Sequence, residues 1–211
     1  MSTSIQYLSI HEFLLQSEGY LLLDVRAPKE YNKGHIPHAT SFPLFNDEER
    51  AVVGTAYKQK GKEQAIEIGL DIVGKKMGDF ARSLRTLTVE KKVFIHCWRG
   101  GMRSGALAWL INLLGYEVYV LQGGYKAYRQ NVLDDLARPL KLCVIGGETG
   151  NGKTEILYAL QNTGEQIIDL ERIANHKGSA FGGLGQSPQP KPEQFENNLH
   201  QEISRIDNNK T

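Results

Sequence analysis

The chain has 211 residues, a formal net charge of +1 and a hydrophobic content of 40%, which is typical of one large globular domain, or of one domain and part of another. The absence of a run of about 18 apolar residues argues against a membrane-spanning helix. The N-terminal segment lacks the basic and apolar regions of a secretory signal. Two cysteines, Cys97 and Cys143, are too few for a disulfide scaffold, so we expect a cytoplasmic protein. The near-neutral charge excludes a global basic field, and contacts with nucleic acid would have to come from local patches.

The first 45 residues read as strands alternating with short helices. Ser4–Leu8 is predicted to be a strand, and a helix over His11–Ser17 has Ser9 as its N-cap. A second buried strand ends in Asp24 and Arg26, and the stretch APKEYNKGHIPHA follows as a loop and short helix. Because these two charged residues stand where a strand meets a turn, we interpret them as a pair that holds the loop.

The segment Asn46–Leu87 is predicted to be mainly helical, because apolar residues recur at helical spacing in two parts of it. It includes the basic stretch YKQKGK, for which a solvated face and a phosphate contact both remain open.

The most informative stretch is KVFIHCWRGGMRS, Lys92–Ser104. An apolar strand is predicted to deliver Cys97 to a glycine-bearing loop whose N–H groups can form an anion-binding nest. The apolar helix that follows directs its N-terminus at the same spot. Nearby arginine and a helix N-terminus lower the pKa of a thiol, so Cys97 is predicted to be a reactive thiolate, and His96 is a candidate for orienting or electrostatically tuning it. The oxyanion loop comprises Trp98, Arg99, Gly100, Gly101, Met102, Arg103 and Ser104.

A second phosphate-binding pattern lies beyond a helix over Tyr125–Leu136 and a domain boundary near Arg138-Pro139. A strand over Leu140–Gly146 is predicted to precede GGETGNGKT, and the helix EILYALQNTG to follow it, which is the context that a P-loop requires. Lys153 would reach terminal phosphates, and the Thr154 hydroxyl can ligate Mg²⁺. The predicted phosphate-binding residues are Gly147, Gly150, Asn151, Gly152, Lys153 and Thr154.

The remaining residues are predicted to form a strand over Glu165–Leu170, a glycine- and proline-rich stretch, and an amphipathic helix after Pro192. No strand with a Walker-B carboxylate is evident. The second domain therefore reads as truncated. Residues 1–137 are predicted to form one domain and residues 138–211 a partial P-loop domain. The histidines lack the spacing of a metal site, and none is expected.

Three blocks in fixed order resemble the rhodanese family: DVR-x3-EY-x2-GHIPHA, the strand, cysteine and glycine-rich loop, and VYVLQGGYKAYR. This resemblance implies an α/β fold class, with a rhodanese-like parallel sheet flanked by helices, followed here by the start of a P-loop NTPase-like α/β domain. It also implies a catalytic role for Cys97.

The length of the oxyanion loop leaves two chemistries open. Rhodanese sulfurtransferases typically have four residues between cysteine and arginine, whereas five separate Cys97 from Arg103. A wider nest accepts a tetrahedral oxyanion, and the sequence also satisfies the cysteine-phosphatase pattern HC-x5-R-[ST], with Cys97 as phosphoryl acceptor and Arg103 as clamp. Against a phosphatase, no candidate general acid stands out.

The order of CWRGGMRS, GGETGNGKT and DLE-x4-HKGSAFGG resembles the tRNA 2-selenouridine synthases. The resemblance implies a transferase that modifies the wobble uridine of tRNA. In this family, 2-thiouridine is geranylated from geranyl diphosphate, and selenium from selenophosphate then replaces the geranylthio group.

Our own hypothesis for the two donors is that Cys97 takes selenium as a persulfide-like adduct while Arg99 and Arg103 bind phosphate oxygens, and that the P-loop holds the diphosphate. Expected partners are tRNA carrying wobble 2-thiouridine and a selenophosphate supplier, with no membrane. Selenophosphate and geranyl diphosphate are co-substrates, and no tightly bound cofactor is expected. A truncated, non-catalytic sulfur or selenium carrier is the remaining alternative.

Overall fold

The computed structural model describes residues 4–148, 150–179 and 182–207. The contacts within the chain divide it into two compact units, residues 1–131 and 132–211. The boundary between residues 137 and 138 that the sequence suggested stays a prediction.

The first unit is built on a five-stranded sheet in the order β1-β5-β4-β2-β3, in which every neighbouring pair is parallel. The central strand β4 pairs with β2 through Leu23 and Ile95, and with β5 through Ile95 and Val120. Because β4 is covered on both faces, its Val93, Phe94 and Ile95 are fully buried. The strands are β1 (Ile5–Leu8), β2 (Leu21–Asp24), β3 (Thr40–Ser41), β4 (Lys92–His96) and β5 (Glu117–Leu121).

Helices flank this sheet, and the predicted α/β class is confirmed. Ser9 caps α1 as predicted: its hydroxyl accepts a hydrogen bond from the Glu12 N–H, and the Glu12 carboxylate accepts one from the Ser9 N–H. The segment after Asn46 is helical as predicted, and Gly61, at φ +92°, separates two of its helices. The helices are α1 (Ile10–Ser17), α2 (Pro28–Lys33), α3 (Asp47–Lys60), α4 (Lys62–Gly74), α5 (Met77–Leu87), α6 (Met102–Leu113) and α7 (Gly124–Leu136).

Asp24 and Arg26 form the buried ion pair that the sequence indicated. The Arg26 guanidinium donates to the Asp24 carboxylate at 2.6 Å and to the Gly34 carbonyl at 2.7 Å. It also lies 3.7 Å from the centre of the Tyr125 ring. Since both charged side chains are shielded from water, the pair fixes the loop that leads into α2.

Replacing Arg26 by Ala is expected to lower the free energy of unfolding of the first unit by about 3–5 kcal/mol, because Asp24 would remain as an uncompensated buried charge. Urea denaturation followed by tryptophan fluorescence measures this loss. The matched control is Arg85→Ala on the exposed side of α5, which should cost less than about 0.5 kcal/mol. A loss below about 1 kcal/mol for the Arg26 variant would contradict the structural role of the pair.

The described part of the second unit contains three helices besides the end of α7: α8 (Lys153–Asn162), α9 (Leu170–Ala174) and α10 (Pro192–Ser204). The predicted helices after the P-loop and after Pro192 are confirmed. The predicted strands over Leu140–Gly146 and Glu165–Leu170 are wrong, since both segments lack β pairing and Leu170 begins α9. A parallel strand needs a neighbour for its N–H and C=O groups, and the described residues of this unit provide none. Leu142 and Val144 are accordingly 60% and 84% exposed.

Candidate active site

Cys97 follows the buried strand β4 and begins a loop that is held against the turn between β5 and α7. The Cys97 carbonyl accepts a hydrogen bond from the Tyr125 N–H at 2.8 Å. The approach is so close that a Cβ on Gly124 would lie 2.4 Å from the Cys97 oxygen, and one on Gly100 would lie 2.5 Å from the Leu121 oxygen. Both glycines also have positive φ, so these positions require glycine.

The loop surrounds the Cys97 sulfur with hydrogen-bond donors. The Ser104 hydroxyl lies 3.3 Å from Sγ, and the N–H groups of Ser104, Arg99 and Gly101 also point at the sulfur. Burial opposes ionisation of the thiol, but these hydrogen bonds outweigh it and hold the pKa of Cys97 below its ordinary value. The nest inferred from the glycine-rich sequence is therefore present, and it favours a thiolate.

Replacing Ser104 by Ala is expected to raise the pKa of Cys97, because the hydroxyl contact with Sγ is one of the hydrogen bonds that lower this pKa. Alkylation by iodoacetamide should be roughly tenfold slower near neutral pH and should approach the wild-type rate at high pH, where both thiols are ionised. The pH dependence of alkylation at Cys97, measured by peptide mass spectrometry, tests this. Ser83→Ala on α5 is the control, and equal pH profiles for the Ser104 variant and the wild type would contradict the assignment.

Arg103 lies at the start of α6 and is engaged by a carboxylate from α2. Its guanidinium donates two hydrogen bonds to Glu30, at 2.6 and 3.3 Å. Burial disfavours the charged form of Glu30 and would raise its pKa. Hydrogen bonds from Arg103 and the Ala27 N–H outweigh burial, and the positive charges of Arg103 and Arg50 add to them. The pKa of Glu30 therefore lies below its usual range. Sequence reasoning missed Glu30, whose only signal was its place in the DVR-x3-EY block.

The other side chains of the loop are accessible. Arg99 is exposed, and Trp98 and Met102 are 36% and 55% exposed. Trp98 also packs on Tyr125, with ring centres 5.9 Å apart. The loop therefore presents a cation and two apolar side chains to an incoming molecule.

His96 was a candidate for orienting or electrostatically tuning the thiol, and its Nδ1 lies 3.4 Å from the Cys97 carbonyl oxygen. Its ring is fully buried, with Nε2 3.7 Å from an Asp24 carboxylate oxygen and the ring centre 6.2 Å from that of Tyr125. Burial lowers the pKa of His96, so the ring is neutral near pH 7 and supplies no charge to a thiolate.

The predicted P-loop lies in the second unit, with Gly147, Gly150 and Gly152 all at positive φ. The Lys153 ammonium donates to the carbonyls of Gly147 and Glu148 at 3.0 and 2.8 Å, so the lysine lies over its own loop. Thr149 of the motif lies outside the described residues. Lys153 begins α8, and the N-terminus of this helix contributes positive potential at the same place.

A cleft of about 610 Å³ opens beside this loop. It combines the P-loop with a set of acidic and basic side chains that the sequence analysis had not assigned. Asp169 is 94% buried by its neighbours and accepts hydrogen bonds from the Tyr158 hydroxyl and the Arg172 N–H. The lining residues are Gly150, Gly152, Lys153, Thr154, Glu155, Asp169, Glu171, Arg172, His176, Lys177 and Gln186.

This cleft can hold a diphosphate, because it offers loop N–H groups, the ammonium of Lys153 and further cations from α9 and the following turn. The Thr154 hydroxyl and the Asp169 carboxylate line the same space, and oxygen donors of this kind suit Mg²⁺. Of the predicted P-loop residues, Gly147 and Asn151 do not line the cleft.

Metal-binding clusters and membrane-spanning helices are both absent from the described residues. No group of three or more His, Cys, Asp or Glu side chains is placed there to hold a metal ion. None of the helices in these ranges is both long and apolar enough to span a bilayer.

Comparison with protein families assigns both parts of the chain. Residues 10–131 match the model of the rhodanese-like domain. The chain belongs to the rhodanese-like family. Residues 140–211 match the model described as the tRNA 2-selenouridine synthase AAA domain. The rhodanese-like fold predicted from the sequence is confirmed.

Curated relatives are similar over most of this rhodanese-like chain. The tRNA 2-selenouridine synthase of Nitrosomonas europaea is 38% identical over 193 residues, covering 89% of this chain and 50% of the relative. That of Hydrogenovibrio crunogenus is 42% identical over 196 residues, covering 88% and 53%. The predicted resemblance to this family is confirmed, and the chain spans about half the length of the curated relatives it matches.

A solved structure is similar to more than half of this chain. The N-terminal domain of a Clostridium difficile 630 protein named for ATP/GTP binding is 40% identical, with a TM-score of 0.55 over 61% of this chain and 99% of that one.

Proposed function

We propose that this chain is the part of a tRNA 2-selenouridine synthase that carries its selenium-transfer thiol and its P-loop. The observation that carries the proposal is the match of both units, in order, to curated synthases at 36–42% identity. The nest around Cys97 supports it independently, because selenium transfer from an oxyanion donor requires an ionised nucleophile beside an anion site.

In the first stage, the sulfur of 2-thiouridine attacks the allylic carbon of geranyl diphosphate, a C–S bond forms and diphosphate leaves. The P-loop cleft supports this step, since Lys153 and the loop N–H groups can neutralise the charge that develops on the leaving group. Lys153 would exchange its two carbonyl partners for phosphate oxygens.

In the second stage, selenium leaves selenophosphate and replaces the geranylthio group. A Cys–S–Se adduct would require an oxidant, because selenium in selenophosphate is already at the selenide level. The balanced route is attack of the Cys97 thiolate on phosphorus, which forms an S–P bond, breaks the P–Se bond and releases hydrogen selenide ion. The selenide then attacks C2 of the pyrimidine and expels geranyl thiolate, and water hydrolyses the S–P bond to regenerate Cys97.

The tRNA would approach the accessible side of the oxyanion loop. Arg99 and Lys126 are exposed cations on that loop and on the adjoining α7, and Trp98 offers a ring for stacking a base. With a net charge of +1, binding should be modest and should weaken steeply with salt. A supplier of selenophosphate and a cytoplasmic location belong to this proposal.

Nucleoside mass spectrometry of tRNA bearing wobble 2-thiouridine tests the proposal. The chain is incubated with geranyl diphosphate alone, with selenophosphate alone, or with both donors. With geranyl diphosphate alone, we expect the geranylthio nucleoside, and with both donors we expect 2-selenouridine. With selenophosphate alone, the nucleoside should stay unchanged. Absence of both products with both donors would contradict the proposal.

Hydrolysis of phosphate esters is a second candidate activity. The observation that favours it is the five-residue spacing between Cys97 and Arg103, with the N–H groups of the loop aimed at the sulfur. Release of phosphate from an aryl phosphate, lost when Cys97 is replaced, would support this reading in place of the synthase.

A further inference from the structure

A second arginine joins the carboxylate that holds Arg103. Arg50, from α3, has its Nε 3.7 Å from the Glu30 carboxylate, which already accepts two hydrogen bonds from Arg103. Two guanidinium charges therefore share one carboxylate, and a net positive charge remains beside the oxyanion loop. Ser104, which follows Arg103 directly, contacts the Cys97 sulfur, so this charge lies at the edge of the thiol site.

One donor of this pair lacks an acceptor. The Nε of Arg50 is buried, yet it has no hydrogen-bond partner in the part of the chain that the structure describes. This N–H faces the Glu30 carboxylate at 3.7 Å, whereas the Arg50 side chain as a whole is 40% exposed, so a ligand can approach it.

The local structure fixes Arg50 in this place. Asn46 caps α3, and the neighbouring Asp47 accepts a hydrogen bond from the Lys29 N–H at 2.9 Å, which ties the start of α3 to α2. Gly54, one turn after Arg50, leaves the space that the guanidinium fills, because a Cβ there would lie 2.5 Å from Nη1. Thus the helix that follows the DVR-x3-EY block contributes a cation to the site.

We propose that Arg50 is a second arginine of the oxyanion site and binds a phosphate oxygen of the tetrahedral donor that Cys97 attacks. This inference rests on the proposed role of the Cys97 loop as the selenophosphate site. In this arrangement Glu30 orients both guanidiniums, and Arg50 adds a charged donor to the neutral N–H groups of the nest.

Protection of Cys97 from alkylation by inorganic phosphate measures this binding without tRNA or either donor. Iodoacetamide labelling is followed at the Cys97 peptide, so that labelling of Cys143 does not interfere. The ionic strength is kept constant with chloride. Phosphate should slow labelling of the wild type saturably, and Arg50→Ala should raise the half-protecting concentration about tenfold. Arg82→Ala, which removes an exposed arginine of α5, should leave protection unchanged.

A second variant separates charge from position. Gly54→Ala keeps Arg50 and favours the helix, but its Cβ displaces the guanidinium, so protection should weaken as well. Equal protection in the Arg50 and Arg82 variants, or no protection by phosphate in the wild type, would overturn the inference. Protection by tRNA but not by phosphate would assign Arg50 to the RNA backbone and would also overturn it. Saturable phosphate protection in a chain that makes no 2-selenouridine would reject only the proposed function.

Discussion

Geranylation of 2-thiouridine is expected to fall about a hundredfold when Lys153 is replaced by Ala. The ammonium is the charged donor that can follow the negative charge onto the leaving diphosphate, and a charge-assisted hydrogen bond of this kind stabilises a transition state more than a ground state. In the free P-loop it is already held over the Gly147 and Glu148 carbonyls, so it needs only a small movement to reach phosphate. The geranylthio nucleoside, quantified by mass spectrometry over time, measures the rate.

The control is Lys191→Ala, which removes one exposed lysine from the same unit. It should leave the rate within about twofold of the wild type. The Lys153 variant should still convert tRNA that is already geranylated into 2-selenouridine, because that step is assigned to Cys97. Undiminished geranylation by the Lys153 variant would show that the P-loop does not hold the diphosphate.

In the first unit, the sequence predicted those features that depend only on neighbouring residues. The Ser9 cap and the apolar run before Cys97 are signals that lie within a few residues of the structure they produce. The nest at Cys97 was likewise predictable, because glycine permits the positive φ that a nest requires, and Gly100 adopts it just before α6.

The contacts of the arginines could not be predicted in the same way. Arg103 was predicted to clamp an oxyanion, but its partner in the structure, Glu30, lies 73 residues earlier in the sequence. Only the packing of α2 against the loop brings the two together. Arg50 was not singled out at all, since a lone arginine on a charged helix carries no local signal.

The two predicted strands of the second unit failed for a different reason. Leu140–Gly146 has the apolar composition of a buried strand, but a strand exists only when a neighbour accepts its hydrogen bonds. The described residues of that unit are otherwise helix and irregular structure, so the propensity of this segment is not realised. The P-loop glycines and α8 are local features, and they form without the strand.

The largest effect on selenium transfer is expected from replacing Cys97 by Ala. The thiolate is the protein's own nucleophile in the proposed route, and the Ser104 hydroxyl and the loop N–H groups contact its sulfur. Loss of a covalent nucleophile typically costs about a thousandfold or more. Geranylation should persist, because it is assigned to the P-loop cleft in the other unit. Cys143, which is exposed and belongs to the other unit, provides the control as Cys143→Ala.

The decisive measurement is nucleoside mass spectrometry of 2-thiouridine tRNA incubated with geranyl diphosphate and selenophosphate, using the wild type, Cys97→Ala and Cys143→Ala. The account predicts 2-selenouridine with the wild type and the Cys143 variant, and accumulation of the geranylthio nucleoside with the Cys97 variant. Formation of 2-selenouridine by the Cys97 variant at the wild-type rate would contradict the central claim that this thiol carries out selenium transfer.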